Sequence, residues 1–325
     1  MILGLIEHDR GKMNEVSLEM LTLARGLARQ NSESLEAILI GQEARPLAQQ
    51  LPAYGVTRAY LVQHNGLDDY APEAWARSIV QLLESLSPQA VLGPGTDRGN
   101  EIMAHVASLT DLPMAANCIE VELGEPDALV TRLRWGGSLW EEARLEGKPK
   151  LLTVAPFTIE AEEAPAATEL AVETFTPRLD DKAFRVRVTD RVETAGDKIS
   201  LAEARTVVGG GRGVGSAENF ALLEELADLL GGVVGGSRVV TNLGWRPHSD
   251  QIGQTGTRIA PDLYIACGIS GAIQHMVGCK GAKHILAINM DREAPIVAKA
   301  SYAVIGDLHE VIPALIEEIK RAKGA

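Results

Sequence analysis

The 325-residue sequence is poor in aromatic side chains, 4% of the total, and holds only three cysteines. Thiols so few and widely spaced, at Cys118, Cys267 and Cys279, argue against a disulfide scaffold or a metal cluster and read as buried groups of a reducing compartment. His275 and Cys279 stand one helical turn apart, yet no further Cys or His joins them at a zinc-binding interval. Positive charge is also short: 31 Lys and Arg face 44 Asp and Glu, a net charge of −13. That balance argues against a polyanion-binding surface and hence against a nucleic-acid partner. No apolar run is long enough to span a bilayer. The opening MILGLIEHD meets charge at Glu7 and reads as a first strand rather than a secretion signal. No stable membrane insertion and a bacterial cytoplasmic location are therefore expected.

What is present is ordinary globular material, 46% hydrophobic, with Ala, Val, Leu, Ile and Gly carrying the apolar load of layered strands and helices. Residues 2–6, 36–40, 59–62 and 90–92 read as strands. Residues 15–28, with Val16, Met20, Leu23, Ala24 and Leu27 on one stripe, and residues 74–86 read as helices. A parallel sheet covered by helices is the economical arrangement. GPGTDRG, residues 93–99, is a Gly-rich turn into a helix; a phosphate-binding turn and a tight strand-to-helix connection both fit it. From Cys118 to Phe175 the segments ALVTRLRW, SLWEEARL and KLLTVAPF resemble additional strands and surface loops laid against this domain, and EAEEAPAATEL reads as solvated surface. Residues 177–200 read as an edge strand, with Phe184, Val186 and Val188 alternating, followed by a connection. The boundary falls near residues 193–205, giving an N-terminal α/β domain over 1–195 and a second domain over 196–325.

The second domain carries denser signals. RTVVGGGRGVGSAENFALLEELADLLGG is a strand, a Gly-rich turn and a helix with Phe220, Leu223, Leu226, Ala227 and Leu230 inward. Gly209, Gly210, Gly211 and Gly213 bring backbone close to whatever fills the turn, and Arg212 can reach a phosphate oxygen. VVGGSRV is a strand ending at Ser237 and Arg238. DQIGQTG follows, then LYIACGISGAIQHMVG, a strand, turn and helix bearing Gln274 and His275. HILAINMD and YAVIGDL are further strands, ending near Asn289 and Asp307. Polar groups thus gather at one edge of an open parallel sheet, where α/β folds bind ligands. Taken singly, Arg238 also fits a surface ion pair, Thr255 a turn hydroxyl, His275 a cap or core histidine and Asp307 a helix cap.

The ordered motifs VVGGGRGVGSAENF, GGSR, DQIGQTG, LYIACGISGAIQH, HILAINMDREAPI and YAVIGDL closely resemble the alpha subunit of electron transfer flavoprotein, a family that includes nitrogen-fixation-associated homologues. The resemblance spans the second domain; the first fits in size and position. It implies a two-domain α/β protein whose second, mostly parallel sheet binds one FAD. It places Arg212 and Gly213 near the diphosphate, Ser237 and Arg238 at the isoalloxazine ring, and Gln251, Ile252, Gly253, Gln254 and Thr255 in a flavin-facing loop, with Thr255 near N5. Gly268, Ser270, Gly271, Ala272, Ile273, Gln274 and His275 match the binding turn and helix start, His275 approaching O2. Asn289, Asp307 and Leu308 match positions toward the adenosine end. The acidic residue usual after GGSR is absent at TNLGW, where Thr241 and Asn242 stand.

The resemblance further implies a heterodimer with a beta subunit that contacts the first domain and itself holds AMP or a second FAD. Transient docking would bring electrons from flavin dehydrogenases such as acyl-CoA dehydrogenases, in fatty acid β-oxidation, and pass them to a membrane quinone oxidoreductase. Alternatives are a bifurcating alpha subunit using NADH through its partner, a small-substrate flavin oxidoreductase, and a nucleotide-binding regulatory protein. The residues themselves make chemical sense: a fixed Arg238 stabilises negative charge spread over flavin N1 and O2, and His275 can donate a hydrogen bond or, if protonated, add positive charge. No acid–base pair or activated nucleophile stands beside this constellation in the sequence, which favours carriage of electrons over substrate turnover.

Overall fold

The computed structural model describes residues 1–137, 139–190, 200–202 and 204–324. The chain divides into two compact units, Met1–Glu193 and Thr194–Ala325; the boundary expected at 195/196 lies outside the described residues. The first unit contributes, in chain order, Ile2–Leu5 (β1), His8–Asp9 (β2), Lys12–Met13 (β3), Val16–Gln30 (α1), Leu35–Ile40 (β4), Arg58–Val62 (β5), Pro72–Leu86 (α2), Ala90–Pro94 (β6), Asp97–Thr110 (α3), Met114–Glu122 (β7), Ala128–Arg134 (β8), Leu139–Leu145 (β9), Lys150–Val154 (β10) and Ala171–Phe175 (β11). Its large sheet has the order β11-β5-β4-β1-β6-β10-β7-β8-β9, parallel from β11 to β7 and antiparallel across β7, β8 and β9.

Strand alternation sends Ile2, Ala37, Leu39 and Leu92 to one face, under Met20, Ala24 and Leu27 of α1. Leu3, Ile38, Ile40 and Val91 go to the other, under Trp75 and Ile79 of α2 and Met103 of α3. Two findings differ from expectation. KLLTV is no surface addition: β10 is fully buried between β6 and β7, because the chain returns from the β8–β9 hairpin into the middle of the sheet. Residues 177–190 hold no strand; the Asp180 carboxylate accepts from the Ala183 amide and winds Asp181–Phe184 into a 3-10 turn, while the edge strand is the preceding β11. In the GPGTDRG turn, a Cβ at Gly95 would lie 2.3 Å from the Val154 carbonyl and one at Gly99 2.0 Å from that of Pro94. Thr96 caps α3 by accepting from the Gly99 amide, and its hydroxyl bonds the Glu7 carboxylate. The turn's close approaches serve its own chain, as a tight connection requires.

The second unit contains Thr206–Gly210 (β12), Phe220–Leu230 (α4), Val233–Ser237 (β13), Arg238–Asn242 (α5), Gln251–Ile252 (β14), Leu263–Cys267 (β15), Ile273–Cys279 (α6), His284–Asn289 (β16), Tyr302–Ile305 (β17) and Leu308–Lys323 (α7). Its sheet, β14-β13-β12-β15-β16-β17, is parallel throughout. Val208, Ile265, Cys267 and Ile288 pack under Phe220, Leu223 and Leu226 of α4 and Ile312 and Ile316 of α7. Val207, Tyr264, Ala266 and Ala287 face the opposite layer, with Met276 and Cys279 of α6.

In the first unit, Glu19 of α1 is buried, and burial pushes its carboxyl up to about 7 although the Phe157 amide donates to it at 2.7 Å. A folded-state value raised above the unfolded one gives stability that is full below about pH 4.5 and lost as pH rises through about 7. Glu19→Gln keeps the acceptor and removes the charge, so it is expected to stabilise the protein by roughly 1–3 kcal/mol at pH 8 and by little at pH 4.5. Urea unfolding at the two pH values reads this; equal effects at both would refute it.

Candidate functional site at the sheet's C-terminal edge

Register fixes what lies side by side. Gly210 pairs with Gly236 and Cys267, Ser237 with Ile252, Cys267 with Ile288 and Asn289 with Ile305. Six strand ends therefore meet at one edge. The turns beyond them are tied together: the Gly211 amide donates to the Cys267 carbonyl, that of Gly213 to Gly268 and that of Gln254 to Gln274. Arg212, Arg238, Gln254, Thr255, Ser270, Ala272, Ile273 and Gln274 are all exposed along this rim. Neither Arg212 nor Arg238 makes an ion pair among the described residues.

The glycines serve the protein's own packing first. A Cβ at Gly209 would lie 2.4 Å from the Tyr264 hydroxyl, at Gly210 2.5 Å from the Phe220 ring, and at Gly211 2.3 Å from the Gly268 carbonyl. Gly268, at φ +62°, approaches the Gly213 backbone, and Gly278 of α6 presses on the Gly253 backbone. The backbone closeness expected around a ligand in the first turn is taken up instead by strand β15, helix α4 and the neighbouring turn.

Beneath the rim lies His275, 7% exposed. Its Nε2 is 2.8 Å from the buried Tyr264 hydroxyl, while its enclosed Nδ1 makes no well-aligned hydrogen bond among the described residues. If Nε2 carried the proton, both the Tyr264 proton and Nδ1 would be unpaired; with Tyr264 donating to Nε2, the single group left over is Nδ1–H. Burial depresses the His275 pKa to about 4, the Ile252 backbone opposing the shift, and burial holds the Tyr264 phenol protonated. The ring is a neutral donor, so positive charge at the rim belongs to the arginines. Cys267 and Cys279, buried and pushed up to about 12, are packing thiols.

Other candidate residues are held by the fold in their own ways. Gln251, 1% exposed, is bracketed by Thr241 and Thr255, whose hydroxyl oxygens each lie 2.9 Å from one end of its amide. Asn289 donates to the Ile269 carbonyl and accepts from the Asp291 amide. Asp307 caps α7, accepting from the His309 amide. Ile252 and Leu308 point into the core, so only their backbones are free to serve a ligand. Ser237 is buried at the end of β13. Ser237 and Ile305 end strands four intervals apart, about 19 Å at the usual strand spacing. Tyr264 and Thr241 were not among the candidates from sequence. The one hint of Tyr264 is a glycine, Gly209, near a large aromatic on the adjacent strand, and that adjacency is invisible before the register is known.

Fold and rim together define a two-domain α/β protein with a cofactor-binding type of sheet edge. Residues 2–179 match the electron transfer flavoprotein domain and residues 200–280 the electron transfer flavoprotein FAD-binding domain. The chain is 36% identical over 319 residues to the electron transfer flavoprotein subunit alpha of Thermoanaerobacterium thermosaccharolyticum, covering 98% of this chain and 97% of that one. It is 39% identical over 325 residues to the subunit alpha of Mycobacterium tuberculosis, 99% of each chain, and 36% identical over 317 residues to Protein FixB of Clostridium saccharobutylicum, 97% and 94%. The chain belongs to the electron transfer flavoprotein alpha subunit family. No helix among its described residues is long and apolar enough to cross a membrane.

Two outcomes test this geometry. Gly209→Ala is expected to cost about 1–3 kcal/mol in urea unfolding, because its methyl meets the buried Tyr264 ring; an unchanged midpoint would contradict the packing. A depressed histidine pKa gives stability present above about 6.5 and lost as pH falls toward 4. The His275 ring protons, followed by NMR, should hold constant shifts from about pH 6 to 8, and a midpoint near 6.5 would place the ring in water.

Proposed function

We propose that the chain is the alpha subunit of a heterodimeric electron transfer flavoprotein, holding one FAD along the C-terminal edge of its second sheet and carrying electrons between other proteins. The observation that carries this reading is the exposed rim of glycine turns at the sheet's C-terminal edge, where Arg212 and Arg238 make no ion pair among the described residues. Exposed guanidinium groups beside backbone turns at the carboxyl ends of a parallel sheet suit an anionic ligand laid along that edge. FAD fits the donor set. It is long enough to need a rim of this length, its diphosphate suits the unpaired Arg212, and the pyrimidine edge of its ring offers acceptors to Arg238 and His275. When bound, FAD supplies the electron-accepting ring.

The chain's residues do the rest. Arg238 favours added negative charge at the ring by Coulomb attraction, uncancelled because Thr241 and Asn242 stand where an acid is usual in the family. His275 orients the ring through a neutral hydrogen bond. Gln251 and Thr255 supply the loop facing N5, Ser270 to Gln274 line the turn beside it, and Asn289 and Asp307 brace the adenosine end. The beta subunit, with AMP or a second FAD of its own, completes the particle against the first domain. Flavin dehydrogenases such as acyl-CoA dehydrogenases are the donors in this reading and a membrane quinone oxidoreductase the acceptor.

Co-expressed with its beta subunit, the chain should purify with FAD and a flavin absorption spectrum; a flavin-free heterodimer that does not take up added FAD would sink the proposal. Arg238→Ala should lower the midpoint of the first one-electron step by roughly 60 mV, about tenfold in the equilibrium, as measured by anaerobic redox titration. An unchanged midpoint would remove Arg238 from the ring.

A further inference from the structure

Thr241 lies in the short α5 segment, outside every motif of the second domain. Its hydroxyl oxygen is 2.9 Å from Gln251 Oε1 and 3.1 Å from the Arg238 carbonyl oxygen, and Gln251 Nε2 is 2.9 Å from Thr255 Oγ1. Gln251 is 1% exposed, so both ends of its amide depend on these two hydroxyls rather than on water.

A threonine hydroxyl has one proton, and that limits the arrangements to two. In the first, Thr241 donates to Gln251 Oε1, Gln251 Nε2 donates to Thr255, and the Thr255 proton points out of the chain. In the second, the amide is turned by half a revolution: Nε2 donates to Thr241, the Thr241 proton turns to the Arg238 carbonyl, and Thr255 donates to Oε1, leaving lone pairs outward. Neither leaves a buried amide atom unpaired. The second exists only because the Arg238 carbonyl lies within reach of Thr241 and receives the displaced proton.

We infer that Thr241, Gln251 and Thr255 form a polarity relay that lets Thr255 offer the bound flavin a proton in one redox state and a lone pair in the other. The inference rests on the proposed reading that Thr255 faces the flavin N5, an atom that accepts hydrogen bonds when the ring is oxidised and donates one when it carries hydrogen. No proton crosses between protein and flavin; only hydrogen-bond directions reverse. Thr241 is a positioning residue, acting on the flavin through Gln251.

The test uses the chain co-expressed with its beta subunit and measures Kd for oxidised FAD and, anaerobically, for dithionite-reduced FAD. In Thr241→Val the far end of the Gln251 amide loses its partner. An under-satisfied carbonyl is tolerated better than an orphan N–H, so the amide settles with Oε1 toward valine and Nε2 on Thr255. Thr255 is then fixed as an outward donor. Oxidised FAD should bind within about twofold of the wild type and reduced FAD about tenfold more weakly. Thr241→Ala should repeat the asymmetry without the steric demand of valine, and Thr241→Ser should restore both constants. Equal changes in both constants, or none, would overturn the relay. Thr255→Val separates the two levels. If FAD binds and that substitution leaves its absorption spectrum unchanged, Thr255 is not at the ring and the relay falls while the flavoprotein reading stands; failure of the wild-type heterodimer to bind FAD overturns both.

Discussion

The hydrogen bond between Tyr264 and His275 joins the sheet to the rim, and much of the second domain is arranged to permit it. Tyr264 sits on β15 among fully buried neighbours, where an unpaired phenol would be costly. Gly209 on the adjacent strand leaves the space that the phenol occupies. Burial keeps Tyr264 protonated and therefore able to donate, and that donation sets the tautomer of His275. A glycine on one strand thus decides which nitrogen of a histidine on a helix carries a proton.

The same economy governs the turns. Gly211, Gly213 and Gly268 let the turn after β12 lie on the turn after β15, backbone against backbone, and Gly253 and Gly278 do so for the loop after β14 and helix α6. These contacts hold the rim in place before any ligand arrives, which reduces the ordering cost of binding. They also explain why so many glycines stand at strand ends whose exposed neighbours, Arg212, Gln254 and Ser270, carry the polar groups.

Elements with strong periodicity were legible in the sequence: the β1, β4, β5 and β6 strands, helices α1, α2 and α4, and five strands of the second sheet, each ending in a polar residue or a glycine turn, but not the two-residue β14. What periodicity cannot report is adjacency. KLLTV reads equally as an edge or a centre, and its place between β6 and β7 follows from the path of a distant hairpin. Phe184, Val186 and Val188 alternate like a strand, but a local cap at Asp180 decides that region. As candidates, Arg238, Thr255 and His275 announced themselves through their motifs. Tyr264 and Thr241 did not, because each acts through a partner that only the fold brings near.

The neutrality of His275 sharpens the electrostatics of the rim. A histidine that titrated near pH 7 would make the charge beside the ligand depend on ambient pH. Burial removes that dependence by moving the ring's proton affinity well below it. The remaining positive charges are the guanidinium groups of Arg212 and Arg238. Thr241 and Asn242, following Arg238, are neutral, so its charge is not cancelled locally. In the flavoprotein reading, the redox balance is then set by fixed charge and by the direction of hydrogen bonds, both properties of the folded chain. A carrier that exchanges electrons with several proteins needs that independence, since its potential must not move with the proton chemistry of whichever partner has docked.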